Sequence, residues 1–502
     1  MYCLSDSTFF CAKAIVKRRL AKSIKRLYNN KRVRGVLVKH KKELIKNTII
    51  IAIGRCSTQV ITFLLLPLYT SILSTKEYGE YDLLNTISIF AIPFITMLME
   101  EAMFRFLIDV KNKEEKKKVM SQSVIFSFIS MIVASIIIFI IGSIFHYKYT
   151  FYLIFFIVGS ILSGLAGSIC RGQGKYTIYA VFNFLSSFFN VLLNIIFIVF
   201  LKWGIHGLFL SYIISNSLVS LWILWKLRIP KYVSFKNLDK KLMKEMLTYS
   251  IPLVPNSVSW AIINLSDRVV ITSVIGAAAN GIYSMANKFP TIINTFYNFF
   301  YMAWKESASK IVKEDNKEEF YNSIYINLKH FLMAVSLVLI GVLPFVFPLL
   351  IKKDYVAAYN YIPPLIISIY FSNLSSFYGG IFAAYKETKI MGSSTVWSAI
   401  INLAVNLLTI HFLGVYAAIL STFLSTFTVY LYRSYKMKNY ISLKKDHLSL
   451  CHIFCLICVI LTYYSKSTPL CLFSLLIVTA YSMYINRGFI DVILKKFKFK
   501  KA

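Results

Sequence analysis

Residues 121–145 read SQSVIFSFISMIVASIIIFIIGSIF, a stretch without a single charged side chain. As an α-helix this stretch is about 37 Å long, and the hydrocarbon core of a bilayer is only about 30 Å thick. Transmembrane β-strands would instead show alternating segments of about 10 residues, and that pattern is missing from the sequence. The stretch therefore predicts a membrane-spanning helix.

Similar blocks recur along the whole chain. The 502 residues are 57% hydrophobic and only 16% charged, whereas soluble proteins carry about 25% charged residues. We therefore predict an all-α integral membrane protein with about 14 transmembrane helices. The predicted spans cover about 47–69, 82–106, 121–145, 151–170, 177–201, 205–227, 248–275, 282–304, 328–351, 361–384, 391–412, 414–435, 447–465 and 469–486.

The distribution of basic residues predicts the orientation of these spans. The odd-numbered connections hold only six of the 56 lysines and arginines, namely Lys76, Lys148, Lys202, Lys352, Lys353 and Lys466. Because cytoplasmic loops are enriched in basic residues, we expect both termini in the cytoplasm. The net charge of +34 then reflects topology. We expect no nucleic-acid partner, because the charges form no single basic face.

An internal repeat divides the chain. Thr70-Ser71-Ile72-Leu73 resembles Thr272-Ser273-Val274-Ile275, and Gly79-x-Tyr81 matches Gly281-x-Tyr283, at an offset of 202 residues. Two six-span units of the same orientation give two lobes related by an axis along the membrane normal, an architecture suited to transport. The predicted organisation is a basic N-terminal segment (1–46), an N-terminal lobe (47–228), a cytoplasmic linker (229–245), a C-terminal lobe (246–437), two additional helices (447–487) and a basic tail (488–502).

Polar residues inside the spans are candidates for lining a cavity, because a charge at the bilayer centre costs about 2.5–3.5 kcal/mol. The three cations Arg55, Arg268 and Lys288 outnumber the one deeply placed acid, Asp267. Such an excess of positive charge suits an anionic substrate such as a diphosphate. We expect Asp267 either to pair with Lys288 or to titrate with a coupling ion. Neighbours point apart on a helix, so Asp267 and Arg268 should bind different partners. The predicted substrate-binding residues are Arg55, Gln59, Asn264, Arg268, Asn287, Lys288 and Asn294.

Further polar positions are interpreted as structural or as moving parts. The asparagine pairs Asn190/Asn194 and Asn402/Asn406 are expected to hold helices together by hydrogen bonds. Near the inner end of the second span, Glu101 and Arg105 are spaced as an i,i+4 ion pair. Together with Glu100 and Asp267 they are candidates for coupling or gating, an inner gate being the alternative to an interfacial ion pair. Pro93, Pro252 and Pro255 predict bends in the second and seventh spans.

No enzymatic chemistry is predicted. Cys451, Cys455 and Cys458 have a metal-like spacing around His452, but no carboxylate accompanies them, so we interpret these cysteines as small apolar residues. The sequence indicates no catalytic residue, no metal site and no cofactor. The seven histidines form no cluster with acids that would suggest acid–base catalysis. The odd-numbered connections are too short to hold a catalytic domain.

Three motifs together carry a family resemblance. Pro252-Leu253-Val254-Pro255-Asn256, Ser266-Asp267-Arg268 and the stretch NGIYSMANK at 280–288 resemble the Wzx-type polysaccharide flippases, which share a superfamily with the MATE drug exporters and the lipid II flippases. The resemblance covers about 47–437. It implies a V-shaped pair of lobes whose cavity is lined by the first, second, seventh and eighth helices. It also implies that an undecaprenyl-diphosphate-linked oligosaccharide moves from the inner to the outer leaflet by alternating access.

The resemblance further implies the lipid bilayer and the lipid-linked oligosaccharide as partners. Protons or Na⁺ are candidate coupling ions, and a polysaccharide polymerase and glycosyltransferases are candidate protein partners. The basic N-terminal segment extends beyond the family's usual start. Its residues 13–34 fit an amphipathic helix on anionic lipid or a solvated tail equally well. Two other functions stay open from sequence: a MATE-like multidrug antiporter and a membrane enzyme of polysaccharide assembly.

Overall fold

The computed structural model describes residue 63 and the ranges 65–110, 112–312, 314–315, 317–385, 387–442 and 446–488. Most of the first predicted span, with Arg55 and Gln59, lies outside them. Within these ranges the chain is helical throughout and contains no strand. The helices are α1 (Leu66–Ile72), α2 (Thr75–Thr96), α3 (Met99–Asp109), α4 (Lys113–Ile144), α5 (Thr150–Gly172), α6 (Tyr176–Asn194), α7 (Gly204–Lys226), α8 (Lys240–Ser250), α9 (Val254–Val274), α10 (Ala277–Ile311), α11 (Lys317–Leu350), α12 (Ile362–Ala384), α13 (Thr388–Leu413), α14 (Val415–Met437), α15 (Ser449–Ser465) and α16 (Thr468–Ile485).

The prediction of an all-α membrane protein is confirmed. In the described ranges nine helices are long and apolar enough to cross a membrane, and the bent pair α2–α3 makes a tenth. Helix α4 shows the lipid-facing character most clearly, because Ile132 and Ile144 are 57% and 66% exposed. Soluble proteins rarely expose so long an apolar surface to water. A helix lies at each predicted span from the second to the fourteenth. The total of fourteen spans stays a prediction.

The chain alternates between two ends of the helical bundle. The turns at 72–75, 145–150, 200–204, 275–277, 350–353, 413–415 and 465–468 lie at what we call the lysine-poor end. The opposite end, which we call the basic end, carries the ends of α3, α5, α10, α12 and α14, the starts of the helices that follow them, and the linker before α9. We refer to α1–α7 and α9–α14 as the N-terminal and C-terminal lobes, following the predicted boundaries.

The second span bends at a place that the sequence did not suggest. Pro93 lies inside α2, and the chain breaks four residues later, where Met97 and Leu98 both adopt left-handed backbone conformations with φ of 48° and 52°. Such angles are costly for residues other than glycine. Helix α3 continues at 56° to α2. Pro255 lies in the first turn of α9 and does not kink the helix interior. In the first turn the missing N–H of proline costs nothing.

The linker folds onto the N-terminal lobe. Asp239 caps α8 by accepting the amide of Leu242 at 3.3 Å, and it pairs with Lys118 of α4 at 3.3 Å. The Leu242 amide and the Lys118 ammonium hold the pKa of Asp239 below its usual range. The Gln122 amide group donates to the Asp239 carbonyl at 2.9 Å. The capping residue Asp239 is thus one of the groups that fasten the connection between the lobes to α4.

The two lobes meet most closely at the lysine-poor end, where α2 crosses α10. A Cβ built on Gly79 would lie 1.8 Å from the Ala277 carbonyl oxygen, and one built on Gly281 would lie 1.9 Å from that of Thr75. Residues 75 and 277, like 79 and 281, are partners in the 202-residue repeat. Reciprocal contacts of this kind arise at a two-fold axis. The repeat seen in the sequence is therefore also present in the packing of the lobes.

Helices α15 and α16 form a C-terminal hairpin that packs against α11. Near the lysine-poor end the hairpin is held by two tyrosines. The Tyr359 hydroxyl donates to the Tyr463 carbonyl at 3.0 Å, and the Tyr463 hydroxyl donates to the Tyr359 carbonyl at 2.7 Å. Their rings stack with centroids 4.0 Å apart. The hairpin is thus joined to the C-terminal lobe by directed bonds as well as by apolar packing.

Candidate functional site

An open cavity lies among the helices of the C-terminal lobe. It contains about 940 Å³ of empty space, including the part open to its surroundings. Its walls come from α9, α10, α12, α13 and α14, and they combine apolar side chains with many hydroxyl and amide groups. The predicted site residues that line it are Asn264, Asp267, Arg268, Asn287 and Asn294.

Asp267 is the most heavily bonded group of this cavity, and it is only 3% exposed. It makes no ion pair with Lys288, so that alternative of the sequence prediction is wrong. Its carboxylate accepts the Tyr283 hydroxyl at 2.8 Å and the Thr422 hydroxyl at 2.7 Å. Three further donors come from α13 and α14, namely Asn402 at 3.3 Å, Asn406 at 3.1 Å and Ser421 at 3.4 Å.

These bonds change the interpretation of the second asparagine pair. Asn402 and Asn406 are fully buried, and both face the carboxylate of Asp267. The Asn406 side-chain oxygen is buried without a hydrogen-bond partner. In the N-terminal lobe, by contrast, Asn194 donates to Asn190 at 2.9 Å and to the Tyr69 hydroxyl at 3.1 Å. The first pair therefore joins helices as predicted, whereas the second surrounds an acid.

Arg268 joins the two lobes. Its Nε donates to Asp82 of α2 at 2.6 Å, and Nη1 donates to the Asn264 carbonyl at 2.9 Å. The Ser284 hydroxyl also donates to Asp82. Both charged side chains are mostly buried, with exposed fractions of 16% for Arg268 and 8% for Asp82. As predicted, Arg268 and Asp267 bind different partners.

Lys288 lies one helical turn from this ion pair without joining it. Among the described residues it forms no ion pair, and its ammonium lies 6.0 Å from the ring centre of Tyr78 on α2. It is not part of the wall of this cavity, and its predicted role in substrate binding stays a prediction. Its charge is still close to the interface between the lobes.

Arg433 of α14 is a cavity residue that the sequence interpretation missed. It is 3% exposed and lines the wall. In the described chain no carboxylate pairs with it. Its guanidinium instead donates to two carbonyl oxygens and two hydroxyls, those of Ser375 at 3.1 Å, Met391 at 3.3 Å, Ser394 at 2.9 Å and Thr395 at 3.1 Å. The arginine is fixed in position while its positive charge stays uncompensated.

The predicted excess of positive charge can be followed only in part, because Arg55, one of the three predicted cations, lies outside the described residues. Within them the cations Arg268, Lys288 and Arg433 are accompanied by two acids, Asp82 and Asp267. Arg433 lies two residues from the end of the predicted span 414–435, and Asp82 is the first residue of the predicted second span. The sequence thus placed both at span ends and gave no reason to select them. The pairing of Asp82 with Arg268 was not visible either, since the two are 186 positions apart.

The acids near the inner end of the second span have other partners than predicted. Arg105 pairs with Asp109 at 2.6 Å, and Glu101 lies 3.4 Å from Arg171 of α5. The predicted Glu101–Arg105 pair is therefore wrong. Both residues belong to α3, which begins at the bend after α2. Glu100 is half-buried there, and one of its carboxylate oxygens has no hydrogen-bond partner.

Comparison with known proteins identifies a family that this chain matches. The family model of polysaccharide biosynthesis proteins matches residues 44–304, more than half of the chain. No curated protein sequence matches the chain.

Solved structures share the fold. The lipid II flippase MurJ in an inward closed conformation has a TM-score of 0.68 at 15% identity, covering 89% of this chain and 99% of MurJ. An inward-facing multidrug transporter of the MATE family has a TM-score of 0.62 at 16% identity, covering 78% of this chain and 98% of that one. An outward-facing MATE transporter has a TM-score of 0.54 at 16% identity, covering 81% and 97%. At such identities the likeness establishes the fold alone.

Proposed function

The chain belongs to the polysaccharide biosynthesis protein family, and on this premise we propose that it flips an undecaprenyl-diphosphate-linked oligosaccharide across the bacterial cytoplasmic membrane by alternating access. The observation that carries the proposal is the cavity with Arg268 and Arg433 in its wall. A polytopic membrane protein has little reason to bury arginines beside an open cavity unless something anionic enters it. The lysine-poor end would face outward and the termini inward.

Arg433 is the group best placed to attract the diphosphate. Its guanidinium already donates to neutral oxygens that fix its position, so no carboxylate competes with a phosphate for its charge. Arg268, in contrast, is engaged with Asp82. A phosphate would meet Arg268 only by sharing or replacing that acid. The hydroxyl and amide groups of the walls would then bind the sugars, while the polyprenyl tail stays in the bilayer.

Asp267 is proposed as the coupling site. Its carboxylate, the amides of Asn402 and Asn406, and the hydroxyls of Ser421 and Thr422 converge on one buried point. Oxygen-rich surroundings of this kind suit Na⁺ or a proton, because an asparagine amide presents either its oxygen or its nitrogen after a flip. The Asn406 side-chain oxygen makes no hydrogen bond at present, so such a flip would turn it toward Asp267 without breaking a bond of its own.

A flipping assay in proteoliposomes tests the proposal. The purified chain is reconstituted with a fluorescent polyprenyl-diphosphate oligosaccharide, and the fraction reaching the far leaflet is followed over time. Arg433→Ala should slow flipping by roughly ten- to hundredfold, since a charge-assisted hydrogen bond to phosphate contributes about 1.5–3 kcal/mol. Asp267→Asn should remove any dependence of the rate on a Na⁺ or proton gradient. Arg487→Ala, an exposed arginine outside the cavity, is the control.

Equal flipping by Arg433→Ala and Arg487→Ala would exclude the anion-binding role. The same liposomes, loaded to report a cationic dye, test the multidrug antiporter. Dye extrusion without flipping would assign the cavity to that function. Hydrolysis or polymerisation of the glycan by the purified chain would assign it to an enzyme.

A further inference from the structure

Two histidines and an aspartate converge at the basic end, and none of them belongs to the wall of the cavity just described. His330 belongs to α11, Asp446 to the connection after α14, and His452 to the first turn of α15. One ligand atom from each lies within 4.8 Å of the other two. The side chains of Asp446 and His452 are 5% and 1% exposed, and that of His330 is 11% exposed. Three separate segments of the chain thus bury polar groups against one another.

The two imidazole nitrogens of this cluster lack hydrogen-bond partners. His330 Nε2 and His452 Nε2 are enclosed, and neither makes a hydrogen bond of normal geometry within the described chain. The enclosed Asp446 Oδ2 has the Lys329 ammonium at 2.9 Å as its partner. Leaving a buried polar atom unsatisfied costs about 1–3 kcal/mol, so the two nitrogens require an explanation. A bound ion that accepts their lone pairs supplies one.

The spacing of the atoms fits a transition metal. His330 Nε2 lies 3.3 Å from Asp446 Oδ1, and His452 Nε2 lies 3.7 Å from Asp446 Oδ2. Ligands at about 2.0–2.1 Å from a tetrahedral zinc ion are separated from one another by about 3.3–3.5 Å. These two separations need only a few tenths of an ångström of adjustment, and all three ligand atoms lie within 4.8 Å of one another. Imidazole nitrogens with one carboxylate are ligands that zinc and its neighbours in the first transition row prefer.

The surroundings also prepare His452 as a ligand. Its Nδ1 lies 2.6 Å from the Tyr481 hydroxyl on α16. When the Tyr481 hydroxyl accepts the Nδ1 proton, the other ring nitrogen keeps the free lone pair that a metal requires. That other nitrogen, Nε2, is the one that faces Asp446. A hydrogen-bonding group behind the ligand is thus present.

From these contacts we propose that His330, Asp446 and His452 bind one divalent transition-metal ion of the Zn²⁺ class, which fastens the C-terminal hairpin to the C-terminal lobe. The hairpin is already bonded near the lysine-poor end through Tyr359 and Tyr463. The metal would provide the matching attachment at the basic end. It would not take part in transport.

Lys329 competes with the metal. Its ammonium lies 2.9 Å from Asp446 Oδ2 and donates to the Ser449 hydroxyl at 2.6 Å. A cation so close to the carboxylate repels a second one, so the metal must displace the lysine from Oδ2 or bind through Oδ1 alone. Removing this ammonium should therefore increase metal affinity. If the cluster served only to hold the Lys329–Asp446 ion pair, removing the ammonium would lower the stability of the protein and would not raise its affinity for metal.

The test measures metal content and metal spectra of the full chain, purified in detergent through a tag without histidines. The protein is stripped with a chelator, exposed to Zn²⁺, desalted and analysed by elemental mass spectrometry. We expect one zinc per chain, and at least a tenfold lower affinity in His330→Gln, Asp446→Asn and His452→Gln. His447→Gln is the matched control, because His447 is the exposed neighbour of Asp446. Lys329→Met should bind zinc about tenfold more tightly.

Co²⁺ provides a second measurement on the unaltered chain, which does not depend on any variant folding. Bound in this site, it should give the intense visible bands of a tetrahedral complex, and Zn²⁺ should remove them. The proposal is overturned if the unaltered chain gives no such bands, or if zinc content is the same in the ligand variants as in His447→Gln. Weaker zinc binding by Lys329→Met would likewise overturn it. None of these readouts depends on the proposed flipping activity.

Discussion

Alanine at Gly79 or Gly281 should hold the lobes apart at the lysine-poor end. A Cβ at these positions would lie 1.8 or 1.9 Å from a backbone carbonyl oxygen of the facing helix, and carbon and oxygen atoms seldom approach within about 3.2 Å. Helices α2 and α10 would therefore have to separate by roughly 1.5 Å. No side chain can move aside instead, because the obstructing atoms belong to the main chain of a helix.

The size of the effect follows from the cost of overpacking, about 1–3 kcal/mol. A penalty of about 2 kcal/mol, applied only to the closed arrangement, reduces its population relative to the open one by about thirtyfold. The folded state as a whole is affected less, because the open arrangement relieves the clash. Transport should slow as well, since alternating access requires both arrangements to be visited.

Spin labels measure the separation directly. Lys148→Cys in the N-terminal lobe and His411→Cys in the C-terminal lobe lie at the lysine-poor end and are exposed, so they accept labels in a cysteine-depleted background. Their distance distribution should shift to longer values in Gly79→Ala and Gly281→Ala. Gly392→Ala is the control, because a Cβ there meets nothing within 4 Å. Identical distributions and flipping rates in all three variants would refute the closed contact as a gate.

Three other predictions follow from buried or capping groups. Asp82→Asn and Arg268→Gln should each destabilise the protein by about 3–5 kcal/mol in thermal unfolding, and the double variant should cost clearly less than their sum; additive costs would contradict the interlobe ion pair. Because the pKa of Asp239 is lowered in the folded chain, its contribution to stability is complete above about pH 4 and is lost as the pH falls through that lowered value. The protection of α8 against hydrogen exchange, corrected for the intrinsic exchange rate, should therefore fall in acid. At neutral pH it should fall most in Asp239→Ala and less in Asp239→Asn, which keeps the capping oxygen but loses the charge. Gly380→Ala places a Cβ 2.5 Å from the indole nitrogen of Trp304 and should cost about 1–3 kcal/mol in thermal unfolding, whereas an unchanged melting temperature would show that the indole moves freely.

The membrane fold could be read from the sequence because its signal is local and repeated. A span of twenty apolar residues needs no knowledge of the rest of the chain, and the repeat at 202 residues survives as matched letters such as Gly79 and Gly281. The position of the bend in the second span could not be read in this way. Proline is the usual cause of a bend, yet Pro93 stays helical and the backbone turns at Met97 and Leu98.

The contacts of the site were harder to predict than its members. Asp267 and Arg268 were identified by their depth in a span, but their partners come from other helices, and helix packing is not encoded at any fixed spacing. The most local pairing rule failed too, since Glu101 and Arg105 have the right separation and bind Arg171 and Asp109 instead. Spacing shows which residues share a helix face; it does not show which competing partner is closer.

The acid and arginine of α9 differ in symmetry from the glycine contact between the lobes, and this difference suggests how the two are coupled. At the 202-residue offset Gly79 pairs with Gly281, but Asp267 and Arg268 fall on Leu65 and Leu66. The contact between the lobes is therefore duplicated, whereas the ionisable residues of α9 occur in one lobe only. Adjacent residues of α9 face in different directions, one toward the proposed cation site and one toward Asp82 of the other lobe. A cation that binds at Asp267 would shift α9. It would therefore also shift the Arg268–Asp82 ion pair, the only charged link that the described residues make between the lobes. Asp267→Asn should then alter the label distances across the glycine contact even without substrate. A variant that changes flipping while leaving those distances and their response to Na⁺ or pH untouched would show that the two sites act independently.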